Sequence, residues 1–223
     1  MGFLEQKTVL MFLKTLLKFS FCFFVFSCTN YNNETLPYYN TPDFTPHFLN
    51  KQDVEKKIKH KVSEFKFLDQ NNTIFSSKSL DKKIHVASFI FTTCSDICPK
   101  MTTNLRLVEE AFFNDSLVSI LSFSVTPWID NPKKLLDYID FHEIKSNNWV
   151  FLTGNKTKIY SLARKSYFAE EDFGYSKDST QFLHTEHFIL VDQQKRIRGI
   201  YNGTLALEAE QLIKDIVVLK NSL

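Results

Sequence analysis

The sequence predicts an α/β domain in which a mixed β-sheet is flanked by helices, preceded by a targeting segment. Three observations lead there. From about residue 60 onward, short apolar runs alternate with helical patterns, as expected of a sheet with parallel members and helices on its faces. Residues 84–91 (IHVASFIF) are a nearly continuous apolar run, the mark of a strand buried on both sides, and 117–125 (LVSILSFSV) reads as a second central strand. The chain has 223 residues, 43% apolar and 15% aromatic, which is material for one ordinary core.

The elements follow in order. Residues 62–68 alternate as a strand, Asn71-Asn72 supplies a turn and residues 73–75 return, so an N-terminal β-hairpin extension is expected. After the first central strand, helical character begins near Cys94 and continues to about Phe113. Asn131-Pro132 reads as a helix start, with Asn as cap and Pro in the first turn. Leu135, Leu136, Ile139 and Ile144 then supply an apolar stripe. Residues 149–152 form a short strand and 159–167 a helix. Two strands, 188–192 and 196–201, are joined by Gln193-Gln194-Lys195, and a helix over 205–219 closes the chain. A net charge of +2 gives no footprint for nucleic acid, and 5 Gly with 6 Pro argue against a fibrous or disordered chain.

The N-terminus reads as an address. Lys7, Lys14 and Lys18 precede the apolar run 19–26, a basic start and short apolar core of the kind found in secretory signals. That run is too short for a comfortable membrane span. It ends in Val25-Phe26-Ser27-Cys28, which resembles a bacterial lipoprotein box. The resemblance implies cleavage before Cys28 and a lipid anchor on its sulfur; an uncleaved signal anchor is the alternative. Either way the domain faces outward from the membrane, on the periplasmic side. The expected division is a signal peptide over 1–27, a flexible tether over 28–57 and a folded domain over 58–223. Pro37, Pro42 and Pro46 discourage helix in the tether, and residues 37–48 have aromatics that could lie against the domain.

The four cysteines form two sets, Cys22 with Cys28 near the signal and Cys94 with Cys98 in the middle. One close pair in the folded part is no stabilising framework; it reads as a redox or metal site. On a helix, positions i and i+4 share a face, so both thiols can point at one small atom or at each other. A helix N-terminus favours thiolate, the form that binds soft metals and exchanges disulfides. Six histidines could add a ligand, at positions 47, 60, 85, 142, 184 and 187. His184 stands out because it immediately precedes the late strand 188–192. A cysteine pair directly after the first central strand is the thioredoxin arrangement, in which the loop before that late strand passes beside the cysteine helix. No proline occurs after Pro132, so the cis-proline of general thioredoxins has no counterpart. Two thiolates and an imidazole suit Cu(I) and can hold Cu(II); zinc accepts the same donors with water as a fourth.

FIFTTCSDICPKMTTNL resembles the copper-binding signature of the SCO1/SenC proteins. So do SFSVTPWIDNPKKLLDYI, NNWVFLTGNKTKIYSLARKSYF and HTEHFILVDQQKRIRGIYNG, in order and at suitable spacings over roughly residues 60–220. The resemblance implies a thioredoxin-like fold and copper bound by Cys94, Cys98 and His184, with His187 as the competing histidine. It also implies delivery of copper, or of reducing equivalents, to the Cu(A) centre during cytochrome c oxidase assembly. The partners would be the Cu(A)-bearing subunit and a copper donor or thiol reductant. Relatives often carry Asp-Pro after the second central strand, where this chain has Thr126-Pro127; Asp130 lies near and is given no role. The other readings are an extracytoplasmic thiol–disulfide oxidoreductase without copper transfer, a peroxidase-like or redox-sensing protein, and a structural disulfide.

Overall fold

The computed structural model describes residues 35–170, 183 and 185–222. The expected signal segment, Cys22, Cys28 and His184 lie outside them. The described elements are β1 (Tyr38–Tyr39), β2 (Pro46–His47), α1 (Lys51–Lys57), β3 (Lys66–Asp69), β4 (Ile74–Ser76), a 3₁₀ turn (Ser77–Leu80), β5 (Ile84–Ile90) and α2 (Ile97–Ala111). They continue with β6 (Val118–Ser124), α3 (Pro132–Phe141), β7 (Trp149–Thr153), α4 (Lys156–Lys165), β8 (His187–Val191), β9 (Ile197–Asn202) and α5 (Ala206–Asn221).

β5 and β6 are buried at every residue, as their mainly apolar sequences predict, and the polar exceptions include His85, Ser88, Ser122 and Ser124. They pair in parallel, Ile84 with Val118 through Ile90 with Ser124, and β7 continues the parallel set beside β6. β8 runs antiparallel on the other side of β5, and β9 antiparallel to β8. The described strands form one sheet in the order β2-β1-β9-β8-β5-β6-β7-β3-β4. The pleat sends Val86 and Ile90 into one core with Leu105 and Val108 of α2 and Leu212 and Ile216 of α5. Ala87 and Phe89 face the opposite core, with Ile159 and Ala163 of α4. Burying each large apolar side chain stabilises the fold by roughly 1.5–3 kcal/mol. This is the thioredoxin-like mixed sheet, with helices on both faces, that the sequence predicts.

The hairpin extension is present but starts later than expected. β3 begins at Lys66 rather than at residue 62 and pairs with β4 through Phe67 and Phe75. Residues before it are held by other partners: the Val62 N–H donates to the Lys195 carbonyl at 2.8 Å, and the Phe65 N–H to the Ser77 hydroxyl at 3.0 Å. Asn72 takes a left-handed φ of 59° in the turn, a conformation that Asn tolerates better than most residues.

The flexible tether expected over 28–57 is corrected for residues 35–57, which are docked on the domain. Leu36 is buried in the core, and β1 adds an antiparallel strand at Ile197 of β9. Arg198 holds this strap: its Nε donates to the Pro37 carbonyl at 2.9 Å, its Nη2 to the Leu36 carbonyl at 2.7 Å, and its guanidinium lies 3.8 Å from the centre of the Tyr38 ring. Val54 of α1 is buried, and Glu55 pairs with Arg196. Among the described residues no helix is long and apolar enough to cross a membrane.

Candidate metal centre

The cysteine pair sits where three elements end on one edge of the sheet. β5 finishes at Ile90, and the chain turns through residues 91–96 into α2. β6 finishes beside it, with the Val125 N–H donating to the Ile90 carbonyl at 2.8 Å. β8 runs antiparallel to β5, so its start at His187 lies toward the same edge. The helix expected to begin near Cys94 begins at Ile97 instead. Cys98 is therefore in the first turn of α2, whereas Cys94 lies in the loop before it, and the two are not stacked on one helical face.

That offset changes how the sulfurs are used. The first N–H groups of a helix have no partner within it and seek an acceptor. Asp96 stands at the cap position of α2 without a side-chain cap bond. The Cys98 N–H instead donates to the Cys94 sulfur, 3.4 Å away. Burial alone would raise the Cys94 pKa, but the N–H groups of Cys98, Asp96 and Ile97 more than offset it and leave this thiol more acidic than usual. Cys98 is buried against Met101 and Leu105. Burial, chiefly, pushes its thiol up to about 12, and the negative charges of Cys94 and Asp130 act in the same direction. Both cysteines are free thiols.

A small crevice lies beside Cys98. It is lined by Cys98, Ile97, Phe91, Val125, Leu183 and Thr185, among others. His184 itself lies outside the described residues, but its neighbours on both sides in sequence line this crevice. Among the described residues no three His, Cys, Asp or Glu side chains gather into a metal-holding group. The described part of the site thus offers two sulfur donors.

The other histidines have different surroundings. His85 is buried in β5, its Nε2 3.0 Å from the Tyr167 hydroxyl. His60 stacks on Phe168 at 4.0 Å, with its Nε2 2.8 Å from the Ser166 carbonyl. His142 follows α3, its ring 4.3 Å from that of Tyr138. His187 opens β8 opposite Asn202 and meets the Phe44 ring edge-on at 5.4 Å. His47 lies in β2, paired with Tyr38.

Asp130, which the sequence leaves without a role, has no exposed surface. Its carboxylate accepts from the Thr92 hydroxyl at 2.6 Å, the Thr92 N–H at 3.3 Å, the Ser124 hydroxyl at 2.6 Å and the Thr126 hydroxyl at 2.8 Å. The available signal is its place just before the Asn131 cap of α3, at the same sheet edge as the cysteines. Thr126, which follows the second central strand, is a donor to that carboxylate. One turn beyond Cys98, the buried Thr102 hydroxyl lies 2.6 Å from that of Tyr138.

Comparison with known proteins gives a consistent result. A "SCO1 protein homolog" of Bacillus subtilis is 31% identical over 167 residues, covering 74% of this chain and 86% of that protein. A solved structure described as BsSco, a member of the Sco family of cytochrome c oxidase assembly proteins, carries a disulfide switch; it is 30% identical, with a TM-score of 0.62 over 73% of this chain and 94% of that one. Copper-bound ScoI of Bradyrhizobium japonicum shares the fold at 23% identity, with a TM-score of 0.56 over 71% of this chain and 99% of that one. The SCO1/SenC family model matches residues 53–220, the cysteine motif and the strands β3 to β9 included, and this chain belongs to the SCO1/SenC family.

Proposed function

We propose that this chain carries copper to the Cu(A) centre of a cytochrome c oxidase during assembly, with Cys94, Cys98 and His184 as the copper ligands. The observation that carries the reading is a crevice lined by Cys98 and by the residues on both sides of position 184, with the second free thiol, Cys94, held against the Cys98 N–H. Two sulfurs and one imidazole match a soft ion and favour Cu(I). Zinc would need water as a fourth ligand to complete its usual tetrahedron. A three-ligand set leaves one side open, which a carrier needs to hand over its cargo. Copper here is cargo, and the protein's task is to hold and release it.

The second reading, a thiol–disulfide reductase for the same oxidase site, is favoured by one observation. Cys94 is the more accessible and more acidic thiol, and Cys98 is buried beside it, the division expected of an attacking and a resolving cysteine. Mixing the copper-loaded chain with a purified, reduced, copper-free Cu(A) domain separates the two. Copper leaving this chain for that domain supports the carrier. Copper retained, with rapid reduction of a disulfide-bonded Cu(A) domain by the metal-free chain, supports the reductase.

The carrier works outside the cytoplasm, tethered by a lipid on Cys28. The support is the basic and apolar N-terminal segment and its lipobox-like end. Intact-mass measurement of the membrane fraction tests it: the reading requires a chain beginning at Cys28 with acyl mass added, and an uncleaved chain without acyl mass overturns it.

A further inference from the structure

Asp130 places a full carboxylate where no water reaches it, and its four hydrogen bonds with described residues come from neutral groups. Burying an ionised carboxylate is costly unless several donors hold it, so its place calls for an account. Two of the donors, the Ser124 and Thr126 hydroxyls, belong to the end of β6 and the loop after it. The other two, both from Thr92, belong to the loop that carries Cys94 two residues later. That loop closes on itself through the Cys94 N–H, which donates to the Phe91 carbonyl at 3.2 Å. Thr92 is thus fixed on one side by its own turn and on the other by Asp130. The Asp130 N–H in turn donates to the Thr126 carbonyl at 2.9 Å, which ties Asp130 to the loop after β6 rather than to the loop it holds.

We propose that Asp130 is the positioning residue of the cysteine site: by gripping Thr92 it fixes the Cys94 sulfur relative to Cys98, and so sets both how tightly the pair holds a metal ion and how readily it closes to a disulfide. The metal half of this rests on the copper-carrier reading; the disulfide half does not. In closing, the two thiols lose two protons and two electrons to an oxidised glutathione, which becomes two glutathione thiols. The geometry seen here is that of the dithiol, with the Cys94 sulfur accepting the Cys98 N–H. Loosening Thr92 therefore weakens the dithiol relative to the disulfide and scatters the metal donors.

The test uses the full chain in detergent with three variants. Asp130→Asn keeps the shape but removes the charge and turns an amide NH₂ toward the donors. Thr92→Val keeps the carboxylate and deletes the hydroxyl that links it to the loop. Ser124→Ala deletes a more deeply buried hydroxyl that touches Asp130 from the sheet side. Equilibration in glutathione buffers reads the disulfide, chelator competition reads Cu(I), and thermal melting reports folding. Asp130→Asn and Thr92→Val are expected to favour the disulfide about tenfold, a shift of about 30 mV to more negative potential, and to weaken Cu(I) about tenfold. Ser124→Ala is expected to lower the melting temperature with both site readings within twofold of wild type. If Asp130→Asn does not fold, Thr92→Val decides. The proposal is overturned if folded Thr92→Val stays within twofold of wild type in the glutathione reading, or if Ser124→Ala shifts that reading as far. A wild-type chain that binds no Cu(I) removes the carrier reading, and the glutathione arm still decides for or against Asp130.

Discussion

The backbone N–H of Cys98 points at the sulfur of Cys94, 3.4 Å away, so the first cysteine caps the helix that carries the second. The relationship divides the labour within the pair. One sulfur is accessible and stabilised as a thiolate by helix N–H groups, and the other is buried and held as a thiol.

Alkylation follows from this division. In the reduced, metal-free chain at pH 8, iodoacetamide should modify Cys94 at least about a hundredfold faster than Cys98, because the reacting species is the thiolate. The rate at Cys94 should reach half its maximum below the ordinary thiol value, since its pKa is lowered; Cys98 should react only near pH 12 or after unfolding. Peptide mapping at increasing times checks this. Equal labelling of the two sulfurs would contradict it.

Acid should act on the fold through His85. Burial, with a smaller push from Lys195, pulls its pKa from 6.5 down to about 3. Below about pH 6.5 the unfolded chain takes up a proton that the folded chain refuses, so stability falls as pH falls, by up to about 1.4 kcal/mol per pH unit, until the folded ring also titrates. Urea unfolding at pH 6.5 and pH 5 should show this loss in the wild type. His85→Gln, less stable at neutral pH because it disturbs the contact with Tyr167, should show a slope shallower by about one proton. An unchanged slope would mean that His85 is not the titrating group.

The strap depends on one side chain. Arg198→Lys keeps the charge but cannot donate to the Leu36 and Pro37 carbonyls while lying on the Tyr38 ring and facing Asp192. It should cost on the order of 2 kcal/mol in urea unfolding and raise protease cutting within residues 35–50. A loss under about 0.5 kcal/mol would show that the strap is held mainly by Leu36.

Much of this was legible in the chain, for reasons that differ element by element. β5 and β6 declare themselves because a strand buried on both faces is mostly apolar, with only small or hydrogen-bonded polar residues between. The start of α3 declares itself because Asn131 caps by an ordinary rule, its side chain accepting from the Lys134 N–H at 3.0 Å. The start of α2 was placed three residues early because its capping acceptor is a thiol, which cap rules built on Ser, Thr, Asp and Asn do not weigh. β1, β2 and α1 were missed because their support is remote: Arg198 reaches carbonyls more than 160 residues earlier. Asp130 was passed over for a related reason. Its donors come from the loop before α2, the end of β6 and the loop after it, and no local pattern in the sequence joins them to it.

The central claim is that Cys94, Cys98 and His184 form one copper site, and Cu(I) titration of the reduced full chain against a competing chelator tests it most directly. The account predicts one copper per wild-type chain, no stoichiometric binding in Cys94→Ser or Cys98→Ser, and binding weakened about tenfold or more in His184→Ala. His187→Ala, which removes a ring set against Phe44, should bind as the wild type does. Copper lost from His187→Ala but kept by His184→Ala, or one-to-one binding that survives in both serine variants, would contradict it.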